Sequence, residues 1–251
     1  VALLQVDKAD GIALLTLDDP GRRNMLSAPL CEALIDAVAE ANADPDIHAI
    51  IVAATPPAFC AGANLSDLEA AAQGDDRAVQ TVYRSFMAVA ESPLPTIAAV
   101  DGAAIGAGFN LALACDMRIA GERARFDTRF LKIGLHPGGG HGWMLLRAVG
   151  WAKASRLILA GQSLDAAEAL AIGLVESVHP GEALLAEAQA LAAPMAGTPR
   201  ELLLRTKASL RLAERSTHGE AFAHETSEQA WSLGQPAFAD LLAGSKKSPS
   251  R

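Results

Sequence analysis

Ile97 to Asp116 reads IAAVDGAAIGAGFNLALACD. Its first four residues are an apolar run that predicts a buried strand. A glycine-broken turn follows, Asp101 to Gly108, and then Phe109 to Cys115 is an apolar run rich in helix formers. Strand, glycine turn and buried helix together aim backbone N–H groups. The first N–H groups of a helix have no partner within it and carry the positive end of its dipole. Gly106 and Gly108 clear side chains from the approach to that helix end. A negative oxygen is the ligand that suits it, although the same pattern also describes a turn that only starts a core helix. Gly106-Ala107-Gly108 is a G-x-G as well, but Leu111 stands where a dinucleotide fingerprint needs its third glycine.

The same arrangement recurs on either side. Leu3 to Val6 and Ile12 to Leu17 predict two strands around the Ala9-Asp10-Gly11 turn. Arg22-Arg23-Asn24-Met25-Leu26 is a small basic stretch on the next loop, suited to a phosphate-bearing ligand or to solvent alone. Ser27 predicts the cap of a helix with Pro29 in its first turn, running to about Asn42. Ile47 to Ala53 predicts a strand buried on both faces, with His48 interrupting it as an edge residue. Phe59 to Asp67, FCAGANLSD, is a second glycine turn leading to a helix, and Thr81 to Glu91 is helical before Pro93 and Pro95. Met117 to Ala120, Arg125 to Asp127 and Val175 to His179 are further strands. Ile133 to His141 is a third glycine-rich turn, ahead of a helix through Val149. Helices are expected over 152–160 and 165–172, and again, with breaks, from Gly181 to Ala243. Strands alternating with helices and then helices alone predict a β/α core with a helical C-terminal layer. The boundaries expected are 1–180 for the core, 181–244 for the helical region and 245–251 for a disordered tail.

Composition narrows the function. The formal net charge of -8 argues against general binding to nucleic acid or to an anionic membrane. No apolar run approaches the length of a membrane span, and no basic-then-apolar signal opens the chain. Cys31, Cys60 and Cys115 form no C-x-x-C pair, which suits free thiols in a reducing cytoplasm. No G-x-S-x-G or H-E-x-x-H is present, and nothing has metal-ligand spacing.

Taken in order, several segments resemble the enoyl-CoA hydratase/isomerase (crotonase) family. They are Pro20 to Leu26 (PGRRNML), Phe59 to Leu65 (FCAGANL), Ala104 to Asp116 (AIGAGFNLALACD), Arg125-Phe126 with Gly134 to Gly139 (GLHPGG), Leu159-Ala160-Gly161, and Ala169 to Val175 (ALAIGLV). The resemblance implies an α/β fold of the ClpP/crotonase kind, with repeated ββα units and a helical C-terminal trimerisation region. It implies an acyl-CoA thioester as substrate, coenzyme A being part of that substrate and no separate cofactor being needed, and a homotrimer or homohexamer. It places the two backbone donors of an oxyanion hole at Ala63 and Ala107. Arg22, Arg23, Met25, Ala61, Asn64, Leu65 and Ser66 would line the coenzyme A arm, with Gly106, Asn110 and Phe130 at the acyl end.

The chain departs from that pattern where hydratases of the family carry two glutamates. Those positions map to Asn110 and, counting back from Gly134, to Phe130, and neither side chain transfers a proton. Some isomerase-like relatives carry an aspartate after the proline of the later glycine turn, where Gly138 stands here. The titratable groups left near the turn are Asp127 and Arg129, expected as an ion pair, with His136 and His141 as candidate acid–base residues. An isomerisation or another enolate reaction is therefore expected ahead of hydration. The alternative is a catalytically silent acyl-CoA-binding protein.

Overall fold

The computed structural model describes residues 2–247, and side chains up to 243. Leu4–Ala9 (β1) and Ile12–Leu17 (β2) form an antiparallel hairpin. Ala28–Ala43 (α1) leads to Ala49–Ala54 (β3), and Leu65–Ala72 (α2) and Arg77–Glu91 (α3) lead to Thr96–Val100 (β4). Ala103–Ile105 (β5), Ala107–Ala114 (α4), Met117–Gly121 (β6) and Arg125–Asp127 (β7) follow. After a 3-10 turn over Phe130–Ile133 come His141–Val149 (α5), Trp151–Leu159 (α6), Leu164–Asp165 (β8), Ala166–Ala171 (α7), Val178–His179 (β9) and Leu184–Ala196 (α8). The last helices are Arg200–Ala213 (α9), His218–Leu233 (α10) and Pro236–Lys247 (α11).

A six-stranded sheet runs β1-β2-β3-β4-β6-β9, parallel from β2 onward, and β5-β7-β8 make a second, three-stranded sheet. Side chains of a strand alternate between faces, so each interior strand supplies two layers of core. Ile12, Ala49, Ile51, Ile97, Ala99 and Ile119 share one face with Leu184, Ala188 and Ala192 of α8. On α1, Leu30, Leu34, Val38 and Ala41 recur at helical spacing and are buried. A fully buried Leu or Ile contributes about 1.5–3 kcal/mol relative to exposure, and both faces of the sheet collect that term.

Several boundaries differ from the sequence expectation, each for a local reason. Residues 103–105 form a strand inside the glycine turn because they pair with β7, a contact that apolar periodicity does not reveal. His48 lies just before β3, where its N–H donates to the Gly11 carbonyl at 2.7 Å, and β3 is an interior strand. The strand expected over 175–179 is only Val178–His179. Ser27 holds the N-cap position of α1, but its hydroxyl is buried without a partner among the described residues.

The residues fall into two compact units, one up to Ala196 and one from Gly197. The dividing point expected near 180 thus falls one helix later, because α8 lies on the sheet. In the second unit, Arg205 pairs with Glu201 at 2.8 Å and Glu228 at 3.0 Å and stacks over Trp231, fastening α9 to α10. Of the tail expected over 245–251, residues 245–247 continue α11 and 248–251 lie outside the described residues.

Candidate active site

Two glycine turns lie side by side after β3 and β4. The Cys60 N–H donates to the Ala103 carbonyl at 2.9 Å, and the Ile105 N–H donates to the Cys60 carbonyl at 3.0 Å. At Gly62, whose φ is +91°, a Cβ would stand 2.5 Å from the Ile105 carbonyl oxygen and 3.4 Å from the Ala107 nitrogen. Gly108 presses equally closely on the Cys60 carbonyl, where a Cβ would overlap it. The segment before Ala63 is thereby held against the segment before Ala107. Ala107 is the first residue of α4, so its N–H has no acceptor within the helix. Among the described residues, neither Ala107 nor Ala63 donates its N–H to another backbone group. Gly106 caps α4 at φ 52° and ψ -114°, a conformation closed to side-chain-bearing residues, and its own N–H is fixed on the Asp127 carbonyl at 2.9 Å.

The Arg22–Leu26 loop is stitched to the first turn. The Leu26 N–H donates to the Gly62 carbonyl at 2.9 Å and the Ala61 N–H to the Arg23 carbonyl at 3.0 Å. Asn24, fully buried at φ 54°, anchors that loop. Its side-chain oxygen accepts from the Asp19 N–H, and its amide donates to Thr55 and Ala58 carbonyls at 2.8 and 2.7 Å. Arg22 and Arg23 are both exposed; Arg22 pairs with Asp19 at 2.7 Å, and Met25 is half-buried. Asn64 caps α2 by accepting from the Ser66 N–H at 3.2 Å, and Leu65 and Ser66 are exposed beside it.

At the other end of the site, Asp127 is a hub. Its buried carboxylate accepts from the Arg129 N–H at 2.8 Å and from Lys132 Nζ, and it pairs with Arg129 at 3.1 Å. This cluster turns the chain so that Phe130 reaches the Gly106 cap, 4.0 Å from where a Cβ would lie. Asn110, one helical turn beyond Ala107, donates from Nδ2 to the Gly138 carbonyl at 3.0 Å, and its Oδ1 lies 2.6 Å from His141 Nδ1. His141 is fully buried, 5.4 Å from the Phe109 ring and 5.0 Å from the Phe130 ring. Burial pushes its imidazole pKa down to about 4, so it is neutral at pH 7. Its Nε2 is buried without a partner among the described residues. His136 is exposed, and its Nδ1 donates to the Pro137 carbonyl at 2.9 Å.

The sequence thus locates both turns, Asn110, Phe130 and His141, and the structure brings them together; His136 stands out in solvent. Two residues were not anticipated. Asn24 gave no signal beyond its place in a basic loop. Tyr83 on α3 lies against the third glycine turn: a Cβ on Gly138 would overlap its hydroxyl oxygen, and its ring edge is 3.1 Å from the Cβ position of Gly139. The Cys60 thiol, buried, is pushed up to about 12 and stays protonated. Among the described residues, no three His, Cys, Asp or Glu side chains are gathered for a metal ion, and no helix is long and apolar enough to cross a membrane.

Comparison with known proteins gives a consistent result. Residues 7–231 match the family model for enoyl-CoA hydratase/isomerase. The chain is 45% identical over 252 residues to the probable enoyl-CoA hydratase EchA14 of Mycobacterium tuberculosis, covering 97% of this chain and 96% of that one. It is 36% identical over 214 residues to the 2,3-dehydroadipyl-CoA hydratase of Escherichia coli, covering 84% and 82%. The crystal structure of an enoyl-CoA hydratase from Bacillus anthracis superposes with a TM-score of 0.91 at 28% identity, over 99% of this chain and 98% of that one.

Proposed function

The chain belongs to the enoyl-CoA hydratase/isomerase family, and from that premise we propose that it stabilises the enolate of an acyl-CoA thioester between the N–H groups of Ala63 and Ala107. The reaction is a double-bond isomerisation or another enolate reaction, in preference to the addition of water. Enolate formation moves negative charge onto the thioester oxygen, and two donors already in place lower its energy without reorganising.

One observation carries this reading. The two turns are packed together and, among the described residues, neither Ala63 nor Ala107 donates its N–H to another backbone group, while Asn110, Phe130 and Gly138 bring no carboxylate. A hydratase must activate water and protonate carbon, and an apolar ring at Phe130 with an amide at Asn110 supplies neither step. The coenzyme A arm runs past Arg22, Arg23 and Met25 and the Ala61–Ser66 loop, and the helical C-terminal unit assembles trimers or pairs of trimers. No metal and no further cofactor enters the reaction.

His141 acts through Asn110: its Nδ1–H holds the amide oxygen, which leaves Nδ2 to grip the glycine turn. A second reading, acyl-CoA binding without turnover, is favoured by the enclosure of that same imidazole, because a buried Nε2 does not meet a ligand.

The test is incubation with trans-β,γ-hexenoyl-CoA and trans-α,β-hexenoyl-CoA in deuterated water. Interconversion of the two with deuterium entering the chain supports the enolate reading. A β-hydroxyacyl-CoA as the main product overturns it, and tight binding with neither exchange nor turnover establishes the second reading.

A further inference from the structure

Enolate chemistry needs a group that carries a proton to and from carbon, and the site as described so far has none in reach. Asn110, Phe130 and Gly138 do not titrate. His141 is sealed, with Nδ1 committed to Asn110 and Nε2 buried. The Asp127 carboxylate is bound by Lys132 and Arg129. Tyr83 differs on each count. It is half-buried and comes from α3 to lie against the Gly138–Gly139 turn. Its hydroxyl oxygen fills the space a side chain on Gly138 would take. Gly138 is the residue whose carbonyl Asn110 grips at 3.0 Å, and the Gly139 Cβ position lies 3.2 Å from Asn110 Nδ2 and 3.1 Å from the Tyr83 ring. Asn110 in turn is one helical turn from Ala107 on the same face of α4. The phenol therefore stands beside the end of the site where the carbons next to the thioester would lie.

Resting on the enolate reading above, we propose that Tyr83 is the proton-transferring side chain of this site. For a β,γ-unsaturated acyl-CoA, the Cα–H bond breaks and its electron pair becomes the Cα–Cβ π bond. The Cβ–Cγ π pair takes the Tyr83 hydroxyl proton to form the new Cγ–H bond, and the Tyr83 oxygen keeps the proton released from Cα. Charge building on the thioester oxygen during the shift is held by Ala63 and Ala107. Tyrosine ends as it began, and no co-reactant is consumed. Cα and Cγ are two bonds apart on one chain, so a single oxygen serves both.

Tyr83 is the only tyrosine in the chain, which makes the test selective. Tyr83→Phe removes one oxygen and keeps the ring contact with Phe86. In this variant, isomerisation of trans-β,γ-hexenoyl-CoA is expected to fall by at least about 100-fold in kcat, with KM within about threefold of the parent. Incorporation of deuterium at Cγ, present with the parent chain, disappears with it. Growth on a fluorinated tyrosine labels the same residue alone without altering the fold, and its fluorine resonance is expected to shift when hexanoyl-CoA binds. Retention of the parent rate in Tyr83→Phe, or a fluorine resonance indifferent to the ligand, overturns the assignment while leaving the enolate reading standing. A parent chain that binds hexanoyl-CoA yet neither isomerises nor exchanges overturns both.

Discussion

The His141 imidazole and the Asn110 amide meet at 2.6 Å, both buried, and their orientations fix one another. The Gly138 carbonyl only accepts, so the Asn110 nitrogen faces it and the Asn110 oxygen faces the imidazole. His141 Nδ1 therefore carries the hydrogen and Nε2 does not. A second proton, on Nε2, would place a charge beside the rings of Phe109 and Phe130, where the atom is buried without a polar partner among the described residues.

That relationship has a pH signature. In the unfolded chain a histidine titrates near the ordinary value of 6.5, whereas burial holds His141 at about 4. Between those values the unfolded state binds more protons than the folded one, so stability is full above about pH 6.5 and declines as pH falls to about 4. The shift corresponds to about 3 kcal/mol. Urea unfolding from pH 7 to pH 4 is expected to show this decline, and His141→Phe should lack that component of it. A decline of the same size in the variant would mean that other groups cause it.

The donor proposed at Ala107 is open to direct removal. Proline is tolerated at the first position of a helix, and Ala107 holds that position in α4. Ala107→Pro deletes the N–H and puts a ring carbon in its place. Loss of one such donor costs roughly 2.7–4 kcal/mol of barrier, about 100- to 1,000-fold in kcat. Steady-state rates with circular dichroism as a control on folding check this; an unchanged kcat would remove Ala107 from the chemistry.

Gly108 tests the packing of the two turns. A methyl group there overlaps the Cys60 carbonyl, which belongs to backbone and has little room to yield. Gly108→Ala is expected to cost about 1–3 kcal/mol of stability, the range for overpacking. It should also weaken turnover more than Ala107→Gly, which leaves the N–H in place. Thermal melts and rates on the two variants make the comparison.

Asn24 is expected to matter as much as any residue nearer the chemistry. Asn24→Ala deprives the Thr55 and Ala58 carbonyls and the Asp19 N–H of partners in a buried site and keeps a non-glycine residue at positive φ. A loss of roughly 3 kcal/mol follows from leaving such groups unmade. Because the same loop is bonded to Gly62 and Ala61, acyl-CoA affinity measured by calorimetry should fall with it.

Much of this was legible in the sequence because periodicity and glycine turns are local signals. Strands β2, β3 and β4, helix α1 and both glycine turns were all readable, since apolar runs and breakers record burial and chain reversal directly. What was not legible depends on residues distant in sequence. The β5 strand exists through its pairing with Arg125–Asp127. Tyr83 reaches Gly138 across 55 positions of chain, from a helix whose own pattern explains only Val82, Phe86 and Val89. His141 was visible as a titratable residue at a helix start, but the two phenylalanines that deny it a charge come from α4 and from the 3-10 turn.

The helices behind the two turns are unlike each other. Every residue of α4 from Ala107 to Ala114 is buried, whereas α2, which follows Ala63, buries none of its residues. One turn is therefore set in a close-packed interior that does not yield, and the other leads into an element with few contacts to lose. On the proposed reading the pair would work as a vice with one fixed jaw. An acyl chain of unfamiliar shape would then be met on the less packed Ala63 side, so substrate range is expected to broaden through changes in α2 and its loop while α4 stays as it is.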